Sequence, residues 1–283
     1  MEFTEIRRLT IIGLFSDDAL FEQLVLKGGN AISLVYEFGG RASLDLDFSI
    51  EEDFKDVQDA ERRILRALER KFGEHGILLF DGKFAPKPEV TKPEVPWWGG
   101  YQFEFKIIEK SKYAKLGGNL DAIRRNSVVV GPRQERRFRV DFSKYEYCAG
   151  KVERELDDYT IYVYTPEMIV MEKLRAICQQ MPAYTLNVNK RGRARDFYDI
   201  HLLVTTSNLD LTTPEHIALL RGIFSIKEVP VELLRQIAGQ HESHRQDWAA
   251  VKDAVAGQIE EFEFYFEFVL REVRGILESL GVK

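Results

Sequence analysis

Residues Lys27–Ile50 read KGGNAISLVYEFGGRASLDLDFSI. The stretch opens on a glycine pair, runs through the apolar segment Ala31–Phe38 and closes on Asp45-Leu46-Asp47. From Leu44 to Phe48 apolar and acidic residues alternate strictly, which is the period of a strand with one buried face. Leu44, Leu46 and Phe48 then enter a core, and Asp45 and Asp47 point together away from it. Two carboxylates on one side of a strand lie about 6–7 Å apart, given a rise of roughly 3.3 Å per residue. Side chains of that reach converge on hard, oxygen-seeking cations such as Mg²⁺ or Mn²⁺. An isolated Asp-x-Asp is more often simply the solvated face of an edge strand. Here Gly28-Gly29 precedes it, and a glycine turn exposes backbone N–H groups at a helix start, where the dipole favours phosphate. Together the two features describe a site for a nucleoside triphosphate (NTP) and its metal.

The whole chain sets bounds on that reading. Its 283 residues fit one large domain or two smaller ones. Hydrophobic content of 45% and charged content of 30% are ordinary for a globular protein with a sizeable core. A formal net charge of −6 argues against a surface coated for bulk nucleic-acid binding, although local basic patches remain compatible with it. The two cysteines, Cys148 and Cys178, are far apart in sequence and imply no disulfide framework, so a reducing compartment fits best. No apolar run approaches the roughly 20 residues of a membrane span, and MEFTEIRRLT lacks the apolar core of a secretory signal. The expectation is a cytoplasmic protein without membrane contact.

Taken in order, residues 4–24 read as one or two helices, the second capped by Ser16. Leu24–Lys27 reads as a short strand, Asn30–Phe38 as a helix, Ala42–Ile50 as the carboxylate strand and Asp56–Phe72 as an amphipathic helix. Ile77–Phe80 is a strand candidate before the proline-rich loop Pro86–Pro96 and the pair Trp97-Trp98, which either packs under its loop or stacks a base. Tyr101–Ile108 alternates, with Tyr101, Phe103 and Phe105 opposite Gln102, Glu104 and Lys106. Leu120–Asn126 is a short helix. Arg137–Tyr145 alternates again, and if it neighbours Ala42–Ile50 then Asp141 joins Asp45 and Asp47 as a third carboxylate. Glu104 competes for that role by the same alternation, with Asp141 favoured because RVDFS is closer in style to LDLDFS. After a last strand, Tyr159–Tyr164, Thr165 and Pro166 open a helical half, with helices over 166–180, 191–205, 214–224, 230–240, 247–256 and 258–280. The class is therefore α+β, a mixed-sheet domain over 1–165 followed by an α-helical domain over 166–283.

The helical half carries its own charged groups. Lys173 and Arg175 sit on the first helix after the sheet, in Glu172-Lys173-Leu174-Arg175-Ala176. Arg193, Arg195, Asp196 and Asp199 form a second cluster, with Asp196 and Asp199 on one helix face. Solvated lysine and dipole-favoured acids are the ordinary explanations of these. The arginines of 133–139 and the cations of 190–195 either steer an RNA acceptor or belong to ordinary charged loops. The histidines have no partners at metal-ligand spacing and read as structural.

Gly-Gly followed by Asp-x-Asp on a strand resembles the polymerase-β-like nucleotidyltransferase superfamily. The finer pattern Lys27-Gly28-Gly29 … Arg41-x-Ser43-x-Asp45-Leu46-Asp47-Phe48, with Glu172–Ala176 and Arg193–Ile200 after it, is similar to one branch, the AbiEii family of toxins from abortive-infection and toxin–antitoxin systems. Two departures stand out: the long linker between Gly29 and Asp45, and Arg195 in place of the lysine of Arg-x-Lys-Asp-x-x-Asp. The resemblance implies a polymerase-β-like N-terminal domain and transfer of a nucleotidyl group from an NTP to a hydroxyl. Gly28, Gly29, Ser43, Lys173 and Arg193 would contact the nucleotide. Asp45, Asp47 and Asp141 would bind the metal, and those three with Lys173 and Asp196 would be catalytic. It further implies a tRNA 3′ end as acceptor and a cognate antitoxin as partner. The rivals are a non-catalytic nucleotide-binding regulator, against which the intact Asp45/Asp47 pair weighs, and a transferase acting on a small molecule or a protein.

Overall fold

The computed structural model of the chain describes residues 2–39, 45–90, 94–130, 135–255 and 257–281. It divides into two compact units, Met1–Asn30 with Ser43–Val163, and Ala31–Ala42 with Tyr164–Lys283. One boundary lies between Val163 and Tyr164. The other was not foreseen: the chain leaves the first unit directly after the glycine turn and returns just before Asp45.

The first unit is built on a mixed seven-stranded sheet. Its strands are β1 (Val25–Lys27), β2 (Leu46–Ser49), β3 (Ile77–Lys87), β4 (Gly100–Glu109), β5 (Phe138–Ser143), β6 (Val152–Leu156) and β7 (Tyr159–Val163). They lie in the order β3-β4-β5-β2-β1-β7-β6. The β2/β5 and β1/β7 pairs are parallel and the rest antiparallel. Alternation dictates one apolar face, on which Phe48 stacks on Phe142 at 5.8 Å and Phe105 on Phe103 and Phe138 at 5.5 Å. Two helices cover that face, α1 (Phe3–Phe15) through Phe15 against Phe48 and α4 (Val57–Glu74) through Phe72 against Phe105. Each fully buried phenylalanine contributes about 2–3 kcal/mol of burial free energy. The opposite face carries Gln102, Glu104, Lys106, Arg139, Asp141 and Asp47, all half-buried.

Several local expectations are revised. Asp17, not Ser16, caps the second helix, α2 (Asp18–Phe21), accepting from the N–H groups of Ala19 and Leu20, while Ser16 closes α1. The helix after the glycine pair is one α-helical turn, α3 (Gly28–Asn30), passing into a π-helical turn, Ala31–Val35. β3 runs past a bulge after Phe80 to Lys87, since an edge strand tolerates Pro86. β6 was missed because an edge strand exposed on both faces shows no alternation: Glu153, Arg154 and Glu155 are all exposed. Two short helices, α5 (Lys110–Lys115) and α6 (Leu120–Asn126), connect β4 to β5, the second as expected.

The second unit is helical. Thr165 caps α7 (Pro166–Cys178), with Pro166 in its first turn, and α8 (Ala194–Ser207) and α9 (Pro214–Ser225) follow. A 3₁₀ run, Val231–Gln240, leads to α10 (His241–Arg245), α11 (Trp248–Lys252) and α12 (Phe262–Ser279). IEEFEFYFEF alternates like a strand yet is helical from Phe262, because burial follows the helix period: Phe262, Tyr265, Phe266, Val269, Val273 and Ile276 face inward. Phe197 of α8 meets Phe262 and Phe266 at 5.4 and 5.3 Å. No helix among the described residues is long and apolar enough to cross a membrane. Both cysteines are buried free thiols, and burial pushes Cys148 up to about 12.

Candidate active site

The carboxylates of the first unit come together through strand register. Asp47 and Asp141 are direct partners in the parallel β2/β5 pair, and strands lie about 4.8 Å apart. The row continues on both sides, with Gln102 of β4 beside Asp141 and Lys27 of β1 beside Asp47. Asp141 accepts from Gln102 Nε2 at 2.7 Å and from Lys87 Nζ at 2.6 Å. Glu104, the competing third acid, instead takes Arg139 at 3.0 Å and Arg137 at 3.3 Å. Lys27 is buried and pairs with Glu146 at 3.6 Å.

The glycine turn abuts this row. Gly28 has φ +70°, a left-handed conformation that favours glycine, and a Cβ there would lie 3.0 Å from Asp47 Oδ2. The fully buried Asn30 closes the neck of the chain's excursion into the second unit. Its Nδ2 donates to the Asp45 carbonyl at 2.6 Å, and its Oδ1 accepts from Arg7 of α1 at 2.9 Å. Asp45 itself precedes β2, which begins at Leu46. Its carboxyl keeps an exposed edge but is raised above the ordinary value by lost hydration and then by the Asp141 charge, against the pull of Arg139 and Lys87. Ser43 lies outside the described residues.

The donor set is all carboxylate oxygen, which suits Mg²⁺ or Mn²⁺. Among the described residues no three acidic, histidine or cysteine side chains converge into a cage. That is compatible with Mg²⁺, which is usually held by one or two carboxylates together with substrate phosphates and water. A separate cavity of about 440 Å³ lies beyond the far end of β2, lined by Ile50–Asp56, Cys148, Lys151 and the start of α4, and holds none of the expected site residues.

The second-half candidates cluster within the second unit. Lys173 Nζ donates to Asp199 at 2.7 Å and Asp196 at 3.0 Å, and Arg193 Nε to Asp196 at 2.5 Å. Lys173, Asp196 and Asp199 are 6%, 5% and 2% exposed, so this is a buried ion network rather than a solvated helix face. Arg195 is exposed. His244 is also buried; lost hydration lowers it to about 4, with Asp196 opposing and Arg193 assisting. The described cations of the two basic stretches largely serve local structure: Arg137 and Arg139 hold Glu104, while Lys190 reaches the carbonyls of Gln179 and Tyr184. Trp97 and Trp98 are half-buried and meet edge to face at 6.2 Å.

Sequence reasoning missed Asn30, Gln102 and Lys87. The first two carry faint signals, the position after Gly-Gly and the polar side of an alternating strand. Lys87, in APKPEV, carries none.

A family model described as nucleotidyl transferase AbiEii toxin, type IV toxin–antitoxin system, matches residues 12–268. A solved structure of an antigenic nucleotidyltransferase-like protein from Paracoccidioides brasiliensis is 14% identical, covering 89% of this chain and 95% of that one. Its TM-score is 0.38, a likeness too distant to carry an argument. No curated protein matches.

Proposed function

This chain belongs to the AbiEii family of nucleotidyl transferase toxins of type IV toxin–antitoxin systems, and on that premise we propose that it moves a nucleotidyl group from an NTP to a hydroxyl of RNA, the 3′ end of a tRNA. The observation that carries the reading is the placement of Asp47 beside both Asp141 and the Gly28 turn. The turn's backbone N–H groups bind phosphate. Asp45 and Asp47, with Asp141 beside them, would hold Mg²⁺ or Mn²⁺, which when bound would supply charge neutralisation for the triphosphate. Asp141, oriented by Gln102, accepts the proton of the attacking hydroxyl. A catalytic part for Lys173 and Asp196 and nucleotide contacts by Gly29, Ser43 and Arg193 rest on the family motifs alone. A cognate antitoxin is the expected protein partner, and the cytoplasm the expected compartment.

The test is incubation of the protein with total RNA and each labelled NTP in turn. Label should enter RNA of tRNA size, from a restricted set of NTPs, and chelation by EDTA should stop it. Equal labelling by wild type and Asp47→Asn, or none with any NTP, would overturn the reading.

A further inference from the structure

Asp141 is engaged on both oxygens, and its two donors differ in kind. Gln102 is neutral, half-buried and fixed at the register position beside it on β4. Lys87 is the last residue of β3, one of the sheet's two edge strands, and its side chain is 52% exposed. A four-carbon stem at a strand end leaves an ammonium free to swing away, whereas the glutamine cannot leave without breaking its place in the row. Like charges side by side on neighbouring strands repel, so Asp47 and Asp141 need a cation between or beside them. Lys87 contributes such a charge on the Asp141 side.

We propose that Lys87 is the resident counter-ion of Asp141, competing with the divalent cation for that carboxylate and withdrawing when the cation binds. The inference rests on the reading of Asp45, Asp47 and Asp141 as cation ligands. Its consequence is an intrinsically weak metal site in the absence of nucleotide: the ion must displace a charge-assisted hydrogen bond before Asp141 can serve it.

Mn²⁺ binding without nucleotide, read from the loss of the free-ion paramagnetic resonance signal, tests this without any activity measurement. Lys87→Met should bind Mn²⁺ roughly two- to five-fold more tightly, the range that an exposed ion pair worth up to about 1 kcal/mol allows. The gain should vanish in an Asp141→Asn background. Lys83→Met removes the same charge from the same strand, at an exposed position facing Glu104 in register, and should give a smaller change. Unchanged or weaker binding in Lys87→Met, an equal gain in Lys83→Met, or a gain that persists with Asp141→Asn would overturn the proposal. Asp47→Asn separates it from its premise. If that variant binds Mn²⁺ like wild type, the cation-site reading fails and this inference with it. If Asp47→Asn loses the ion while Lys87→Met changes nothing, only the role of Lys87 fails.

Discussion

Asp47 touches the glycine turn on one side and faces Asp141 on the other, so a change of one atom there separates chemistry from folding. Asp47→Asn, like Asp45→Asn, should abolish transfer while shifting stability by less than about 1 kcal/mol, since neither side chain is part of the apolar face. Transfer assays beside thermal melts check this, and full activity in either variant would remove that carboxylate from the site. Gly28→Ala is expected to damage both properties. A left-handed residue with a Cβ costs roughly 1–2 kcal/mol, and the added methyl group would press on Asp47 Oδ2. A lowered melt with impaired transfer is the expected pair of results; an unchanged melt would mean that the turn can relax. His244 gives a pH dependence. Its pKa of about 4 in the folded chain lies below the ordinary 6.5, so the unfolded chain binds the proton first as pH falls. Stability is therefore complete above pH 6.5 and declines towards pH 4, by up to about 3 kcal/mol from this group. Replacing His244 with Leu should flatten the stability-against-pH slope between those limits by about one proton, as read from urea melts.

At the scale of elements, α7 and α8 are tied by charge as well as by apolar packing. A sequence reading of Lys173 as a phosphate-facing side chain predicts that Lys173→Ala leaves the melting temperature alone. Its burial against Asp196 and Asp199 reverses that expectation. Removing one partner of a buried network leaves uncompensated charge and costs about 3–5 kcal/mol, so Lys173→Ala should unfold well below wild type in a denaturant melt. An unchanged midpoint would mean that water reaches the two carboxylates. The strands flanking the site were legible because each shows one buried face: LDLDFS, RVDFS and YQFEFKII all alternate, and the third carboxylate followed from that pattern once β2 and β5 were supposed neighbours. The pairing itself was not legible, because register between segments far apart along the chain leaves no local trace. β6 escaped for a related reason, since an outer strand wet on both faces is written in charges. Buried polar roles were hidden too: nothing local distinguishes Lys173 or Asn30 from a solvated residue until the surrounding core is known.

Neither unit is a single continuous segment of the chain. Residues 31–39 are grouped with the second unit although Asn30 before them and β2 after them belong to the first, and Ala31, Ile32 and Leu34 are buried at 0%, 2% and 5%. A fragment ending at Thr165 would hold every strand among the described residues and all three carboxylates, yet leave those apolar side chains without the core that receives them. It should be insoluble or molten, as judged by loss of near-ultraviolet dichroism; a well-folded, active fragment would show that the excursion can fold back on the sheet unit. The Asn30–Asp45 bond at the neck of that excursion carries a consequence for synthesis. A ribosome that has finished β7 has made the carboxylates but not the helices with which residues 31–39 are grouped. A chain stopped there should therefore lack the native melt, which is gained only once translation has run through the helical half.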